Sequence, residues 1–270
     1  MNGFLAAAVQ LHAGADKRAN LAKAEVFLRQ AAQRGAALVA FPEVFLWRGP
    51  QSGEREIAGP IPGPSSERLA ELARELRVHL LAGSLHERGE GDKVFNTSVL
   101  FGPDGDILAR YRKIHLFDVD IAGHVTIRES DVRLPGVDAT LVQTALGPIG
   151  LTICYDLRFP ELYRRLTLAG ARVIVVPAAF TFATGSAHWE ILVRARAIEN
   201  QVYVIAPNQI GAGAGGIVDY GNSMIIDPWG RPLARAADRE MIIYADVDYD
   251  YQDKVRRELP CLQHVRLTGG

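Results

Sequence analysis

The sequence predicts an α/β protein with mixed sheets, on three observations. Short apolar runs of strand type alternate with amphipathic helical stretches along all 270 residues. No linker rich in Pro, Gly or Ser separates the two halves, so residues 1–270 read as one domain. Hydrophobic residues make up 48% of the chain, enough to fill a large core.

The elements follow in order. "FLAAAVQ" reads as a first strand, and Asp16 to Arg34 as a helix with Leu21, Ala24, Leu28 and Ala31 on one face and Gly35 as its stop. "AALVAFPE" is a second, buried strand. In "GPIPGPSS", Ser65 or Ser66 is expected to cap a helix that buries Leu69, Leu72, Ala73 and Leu76. "VHLLAGSL" is a strand, and "KVFNTSVLFGPDGDILARYRK" predicts a hairpin around "GPDGD". Val119 to Asp138 shows no clear period and reads as a long loop. Ile149 to Ile153 is an apolar strand; Phe159, Leu162 and Leu166 then share a helical face, with Pro160 suited to the first turn. "ARVIVVPAAF", a helix over Ser186 to Asn200 and the strand "VYVIAPN" come next. "NSMIIDP" and "REMIIYADVD" are strands on either side of the turn "DPWGRP", and a short charged helix closes the chain.

Composition narrows the function. A formal net charge of -1 argues against a nucleic-acid partner held by bulk electrostatics. No run approaches the roughly 18 to 20 apolar residues of a membrane span. No basic residue precedes "FLAAAV", which favours a strand over a signal peptide. Cys154 and Cys261 form no spacing motif and read as free thiols of a reducing, cytoplasmic compartment. Seven histidines stand singly, without H-E-x-x-H or C-x-x-C, so no metal is expected. "GAGAGG", Gly211 to Gly216, matches G-x-G-x-x-G, but a non-helical stretch follows. A phosphate site needs the next helix N-terminus, so a surface loop is the better reading.

Three residues carry candidate chemistry. Cys154 stands at a strand-to-helix corner with Tyr155, Asp156 and Arg158 just beyond it. A buried cysteine is ordinarily a small hydrophobe. At such a corner its sulfur can face a cleft, and the geometry resembles a nucleophile elbow. Glu43 follows an apolar strand, where partial desolvation would raise its pKa toward base duty. Lys113 ends another strand-like run. Ends of strands in α/β folds converge on shared clefts.

"AFPEVF", "YRKIHLFD" and "ICYDLRFPEL" resemble the three signature stretches of the nitrilase, or carbon–nitrogen hydrolase, superfamily. The similarity continues through "TGSAHWEILVRARAIENQVYV", "YGNSMIIDPWG" and "LPCLQH". It implies a four-layer α-β-β-α sandwich, no metal and no cofactor, and a homodimer or higher homo-oligomer paired through the helices near the cysteine. It implies that Glu43, Lys113 and Cys154 are the catalytic triad, with Glu129 of "IRESDVRLPG" as a second active-site glutamate. Cys154 would attack an amide carbonyl, Glu43 would shuttle the proton, and Lys113 with the backbone N–H of Tyr155 would hold the oxyanion.

"HLFDVDIAGHVTIRES" with "TGSAHWE" most resembles the branch of ω-amidases and deaminated-glutathione amidases. The implied substrate is a small-molecule amide carrying a carboxylate, a 2-oxo dicarboxylate ω-amide foremost. Deaminated glutathione, an N-carbamoyl amino acid and a nitrile are alternatives. Arg158 and Arg48 are candidate anchors; Arg158 could equally pair with Asp156 or Glu161. "VFLWRGP" after Glu43, Ser186 before "AHW" and the tail "VRLTGG" depart from that branch, and Trp47 reads as packing. A Cys–His hydrolase using His115 or His188, and a catalytically silent scaffold, are the competing readings.

Overall fold

A computed structural model of the chain describes residues 2–123, 125–213 and 216–267. Its first half runs β1 (Gly3–Gln10), α1 (Lys17–Gln33), β2 (Leu38–Ala40), α2 (Glu54–Ile57), α3 (Pro64–Leu76), β3 (His79–Arg88), β4 (Val94–Phe101) and β5 (Ile107–Arg112). The short strands β6 (Asp118–Ile121), β7 (Val125–Arg128) and β8 (Arg133–Leu134) lead to β9 (Thr140–Thr144) and β10 (Gly147–Leu151). Then come α4 (Pro160–Leu168), β11 (Val173–Val175), α5 (Phe182–Asn200) and β12 (Tyr203–Ala206). The chain ends with β13 (Ile210–Ala212), β14 (Val218–Tyr220), β15 (Met224–Ile226), β16 (Pro232–Arg235), β17 (Met241–Asp248) and α6 (Tyr249–Glu258).

Two sheets carry the fold. One has the order β17-β1-β2-β3-β4-β5, with β8 beside β4; the other has the order β16-β15-β12-β11-β10-β9. β1, β2 and β3 are mutually parallel, as are β10, β11 and β12, and antiparallel strands flank both triplets.

The alternation of side chains explains the layers. Ala6 and Ala8 of β1 join Leu38, Ala40, Leu81 and Leu100 against Leu151, Val175 and Ile205 of the other sheet. Ala7 and Val9 point the opposite way, onto Ala24 and Leu28 of α1 and Leu69 and Leu72 of α3. On the far side of the second sheet, Leu162 and Leu166 of α4 and Trp189 and Val193 of α5 complete the core. Strands buried on both faces read as unbroken apolar runs, which is why "LAAAV" and "VIVV" lack alternation. The result is the expected α-β-β-α sandwich.

Local signals explain most boundaries. The Asp16 carboxylate accepts from the N–H groups of Arg18 and Ala19, and Gly35 at φ 86° ends α1. Pro160 opens α4. Three expectations change. Gly63, not a serine, is the N-cap of α3; Ser66 sits three residues inside and its hydroxyl accepts from the Gly63 N–H at 2.9 Å. α5 starts at Phe182 rather than Ser186. The stretch read as a loop over 119–138 holds the β6/β7 hairpin, a helical turn at Glu129–Asp131 and β8. The "GAGAGG" stretch runs from β13 toward β14, a strand and not a helix; residues 214 and 215 lie outside the described residues. The same holds for residues 268–270 of the tail. Among the described residues no helix is long and apolar enough to cross a membrane.

Candidate active site

Glu43, Lys113, Glu129 and Cys154 line one cavity of about 270 Å³, together with Tyr155 and Arg48. Glu43 leaves the C-terminal end of β2 on a turn that the backbone is forced to hold. Val44 sits at φ 47°, unusual for a β-branched residue, and its N–H donates to Ser84 Oγ at 2.9 Å. Gly83 lets β3 pass close behind: a Cβ there would lie 1.9 Å from the Pro42 carbonyl oxygen. The Glu43 carboxylate is therefore aimed into the protein and is only 3% exposed as a residue.

Its partners come from three other elements. Asn96 of β4 donates to Oε1 at 2.7 Å, Lys113 donates to the same oxygen at 3.0 Å, and the Ala179 N–H donates to Oε2 at 2.9 Å. Lys113 stands one residue past β5, pinned by its N–H to the Asn96 carbonyl at 2.9 Å. Its ammonium also donates to Glu129 at 2.9 and 3.1 Å. Glu129 is held by the Phe117 N–H at 2.9 Å and by the Arg133 guanidinium. Arg133 in turn makes a two-pronged pair with Glu54, at 2.6 and 2.8 Å.

Cys154 differs from the sequence expectation in one respect. β10 stops at Leu151, and the cysteine opens the helical turn Cys154–Arg158 at φ 47°, a left-handed conformation that suits a nucleophile elbow. Asp156 holds this turn, accepting from the Ile153 N–H at 2.8 Å, the Tyr111 hydroxyl at 2.6 Å and His115 Nδ1 at 2.7 Å. The Tyr155 N–H has no backbone or side-chain acceptor among the described residues, whereas the Cys154 N–H donates to the Pro177 carbonyl at 2.9 Å.

The electrostatics reverse another expectation. Burial alone would raise the Glu43 pKa, but the Lys113 and Arg133 cations outweigh it and bring the carboxyl down to about 2. Burial lowers the affinity of Lys113 for its proton, yet Glu129 and Glu43 more than compensate and hold the ammonium above its ordinary range. Burial, with the Glu43 charge beside it, pushes the Cys154 thiol well above the ordinary range. These directions favour a neutral thiol beside an ionised carboxylate.

The other candidates separate clearly. Arg48 lines the cavity and pairs with the buried Asp219 through Nε and Nη2, at 3.1 and 2.8 Å. Arg158 does not line it: its guanidinium lies against His188 and 5.3 Å from the Phe180 ring centroid, and neither Asp156 nor Glu161 pairs with it. Neither His115, stacked on Phe159 at 3.6 Å, nor His188 lines the cavity, so nothing in the geometry supports a histidine base. Trp47 is buried and packs edge-on against His86, as a structural tryptophan would. Asn96, Arg133 and Glu54 escaped the sequence reading. Arg133 carried one signal, its spacing of four from Glu129; Asn96 and Glu54 carried none.

Comparison with known proteins shows the family of the chain. The carbon-nitrogen hydrolase family model matches residues 5–257. Human omega-amidase NIT2 is 40% identical over 268 residues, 98% of this chain and 96% of that protein. Bovine deaminated glutathione amidase is 40% identical over 97% of this chain and 82% of its own length. The crystal structure of Saccharomyces cerevisiae Nit3, a member of branch 10 of the nitrilase superfamily, superposes with a TM-score of 0.87 at 34% identity, over 96% of this chain and 94% of that one. With the match spanning both sheets and every cavity residue named above, the chain belongs to the carbon–nitrogen hydrolase family.

Proposed function

We propose that this protein is a thiol-dependent amidase that cleaves the amide C–N bond of a small carboxylate-bearing substrate and releases ammonia. A 2-oxo dicarboxylate ω-amide is the substrate class we favour. The observation that carries this reading is that Cys154, Glu43, Lys113 and Glu129 line one cavity, with the Lys113 ammonium between the two buried glutamates.

The steps follow from that arrangement. Cys154 sulfur attacks the amide carbonyl as its proton passes to Glu43, so free thiolate never accumulates. The oxyanion that forms is met by the Lys113 ammonium and the Tyr155 N–H, which has no acceptor among the described residues. Glu43 returns the proton to the departing nitrogen, ammonia leaves, and a thioester remains. Water then gives a proton to Glu43 and attacks the thioester. The second tetrahedral state expels the cysteine sulfur, which regains its proton. Glu129 keeps the Lys113 ammonium in register through both halves.

Arg48 is the anchor we assign to the substrate carboxylate. Lys113 and Arg133 are each shared between two glutamates, whereas Arg48 spends two of its five donors on one aspartate that does not line the cavity. Arg158, outside the cavity, is dropped from that role. A volume of about 270 Å³ sits at the small end of ligand sites, which suits an ω-amide better than a peptide-sized substrate.

We also propose that the chain pairs with itself through the α4/α5 face. Leu168, Ile191 and Ile198 are exposed there, and Ile198 packs over the turn that carries the exposed Trp229.

The test is ammonia release by the wild type and Cys154→Ala. The panel is a 2-oxo-acid ω-amide, deaminated glutathione, an N-carbamoyl amino acid and a simple nitrile. Cys154-dependent turnover of the ω-amide supports the proposal. Silence across the panel, with a thiol that resists alkylation, returns the scaffold reading.

A further inference from the structure

The Asp156 carboxylate takes no part in the steps above, yet it sits where two segments of the site meet. It is fully buried and does not line the cavity. Its Oδ2 accepts from the Ile153 N–H at 2.8 Å and from the Tyr111 hydroxyl at 2.6 Å. Its Oδ1 accepts from the His115 N–H at 3.1 Å and lies 2.7 Å from His115 Nδ1. Ile153 immediately precedes Cys154, and Tyr111 and His115 stand on either side of Lys113. Lys113 follows β5 of one sheet, whereas Cys154 follows β10 of the other. Among the described residues, every hydrogen bond between 111–117 and 153–159 ends on this carboxylate. The same seam is closed by His115 stacked on Phe159 and Phe117 set edge-on to Tyr155, at centroid distances of 3.6 and 4.9 Å.

The pattern of donors calls for a carboxylate and not merely for a polar group. The Ile153 and His115 backbone N–H groups can only donate, and each meets a different oxygen. An asparagine amide has one oxygen and one NH2. Whichever way it turns, its NH2 faces a backbone N–H of either the nucleophile turn or the lysine segment, and that buried donor loses its acceptor. The two segments supply the two oxyanion donors, the Lys113 ammonium and the Tyr155 N–H. Such donors act only when both reach the same oxygen, and a displacement of about 1 Å in a reacting geometry costs on the order of 100-fold in rate.

We propose that Asp156 is a positioning residue that ties the Lys113 segment of one sheet to the Cys154 turn of the other, and so holds the two oxyanion donors in register. This inference rests on the roles given above to Cys154, Lys113 and the Tyr155 N–H.

The test uses the full chain carrying Cys261→Ser, which leaves Cys154 as its one thiol. Two reactions of that thiol are timed, in this background and after adding Asp156→Asn or Tyr111→Phe. With p-nitrophenyl acetate the sulfur bonds to the carbonyl carbon, the C–O bond breaks and p-nitrophenolate leaves, through an oxyanion. With iodoacetamide the sulfur displaces iodide and no oxyanion forms. The expected result is a ratio of acylation to alkylation rates that falls tenfold or more in Asp156→Asn and threefold or more in Tyr111→Phe. Loss of both rates in proportion, which a merely structural role predicts, or a ratio unchanged in both variants overturns the proposal. Should Asp156→Asn fail to fold by circular dichroism, Tyr111→Phe, which keeps the carboxylate and both backbone donors, decides the matter alone. The amidase reading fails separately: a background protein that is acylated by the ester but releases no ammonia from the amide panel sinks that reading and leaves this test standing. A thiol that takes neither reagent overturns both.

Discussion

The Lys113 ammonium donates to Glu43 at 3.0 Å with both residues sealed from solvent, 1% and 3% exposed. In that setting neither charge is tolerable without the other. The pair therefore sets two things together: the protonation state that the chemistry needs, and much of the cost of disturbing the site.

Replacing Lys113 by Met should reveal both. Glu43 and Glu129 would both lose their shared ammonium, and Arg133 would remain as the cation paired with Glu129. Folding stability should fall by about 3–5 kcal/mol, the usual cost of stranding a buried partner. In chains that still fold, kcat should drop far more than KM rises, because the oxyanion exists only in the transition state. A rise in KM alone would make Lys113 a substrate anchor instead.

Cys154→Ala should abolish ammonia release and leave the fold unchanged by circular dichroism. Cys261, half-buried and not part of the cavity lining, should accept Ser or Ala without loss of activity. Residual turnover at the wild-type rate in Cys154→Ala would sink the mechanism.

The Glu43 pKa has a consequence for pH. The folded value is depressed to about 2, against about 4.3 for an unfolded glutamate. Its contribution to stability is therefore complete above about 4.3 and is lost as pH falls from there through 2. Activity should consequently show no acid limb near 4.3: kcat/KM should stay level down to about pH 4. A limb with a half-point between 4 and 6 that vanishes in Glu43→Gln would show the base to be less strongly ionised than argued.

Arg48→Gln should raise KM for a carboxylate-bearing ω-amide tenfold or more while leaving a neutral amide of the same length within about twofold. Asp219→Asn should do the same in weaker form, since Asp219 only orients the guanidinium. Equal losses on both substrates would assign Arg48 to the fold of the loop rather than to substrate choice.

Arg133 and Glu54 form a buried pair, and such pairs respond unevenly to single and double changes. Arg133→Met should destabilise the chain by about 3–5 kcal/mol, whereas adding Glu54→Leu should recover a good part of that loss in chemical denaturation. Strict additivity of the two changes would mean that the pair is not electrostatically coupled.

What the sequence determined by itself was local. Asp16 before an amphipathic run, Pro160 at a helix start and unbroken apolar runs at strand length are signals read within a dozen residues, because caps and side-chain periods act over one or two turns. The order of strands and helices follows from such signals, the ends of strand-like runs singled out Glu43, Lys113 and Cys154, and motif resemblance added Glu129. The tertiary structure decided what those residues experience. Whether Glu43 is raised or lowered depends on Lys113 and Arg133, 70 and 90 positions away, and its carboxylate is also held by Asn96, whose strand gives no hint of an inward amide. The strands of the β6/β7 hairpin, "DVDI" and "VTIR", run only four residues each, so their alternation is too brief to stand out. Arg48 and Arg158 look alike as isolated arginines, and only the folded cavity wall separates the one inside from the one outside. Burial and long-range pairing set charge states, and neither is written in neighbouring residues.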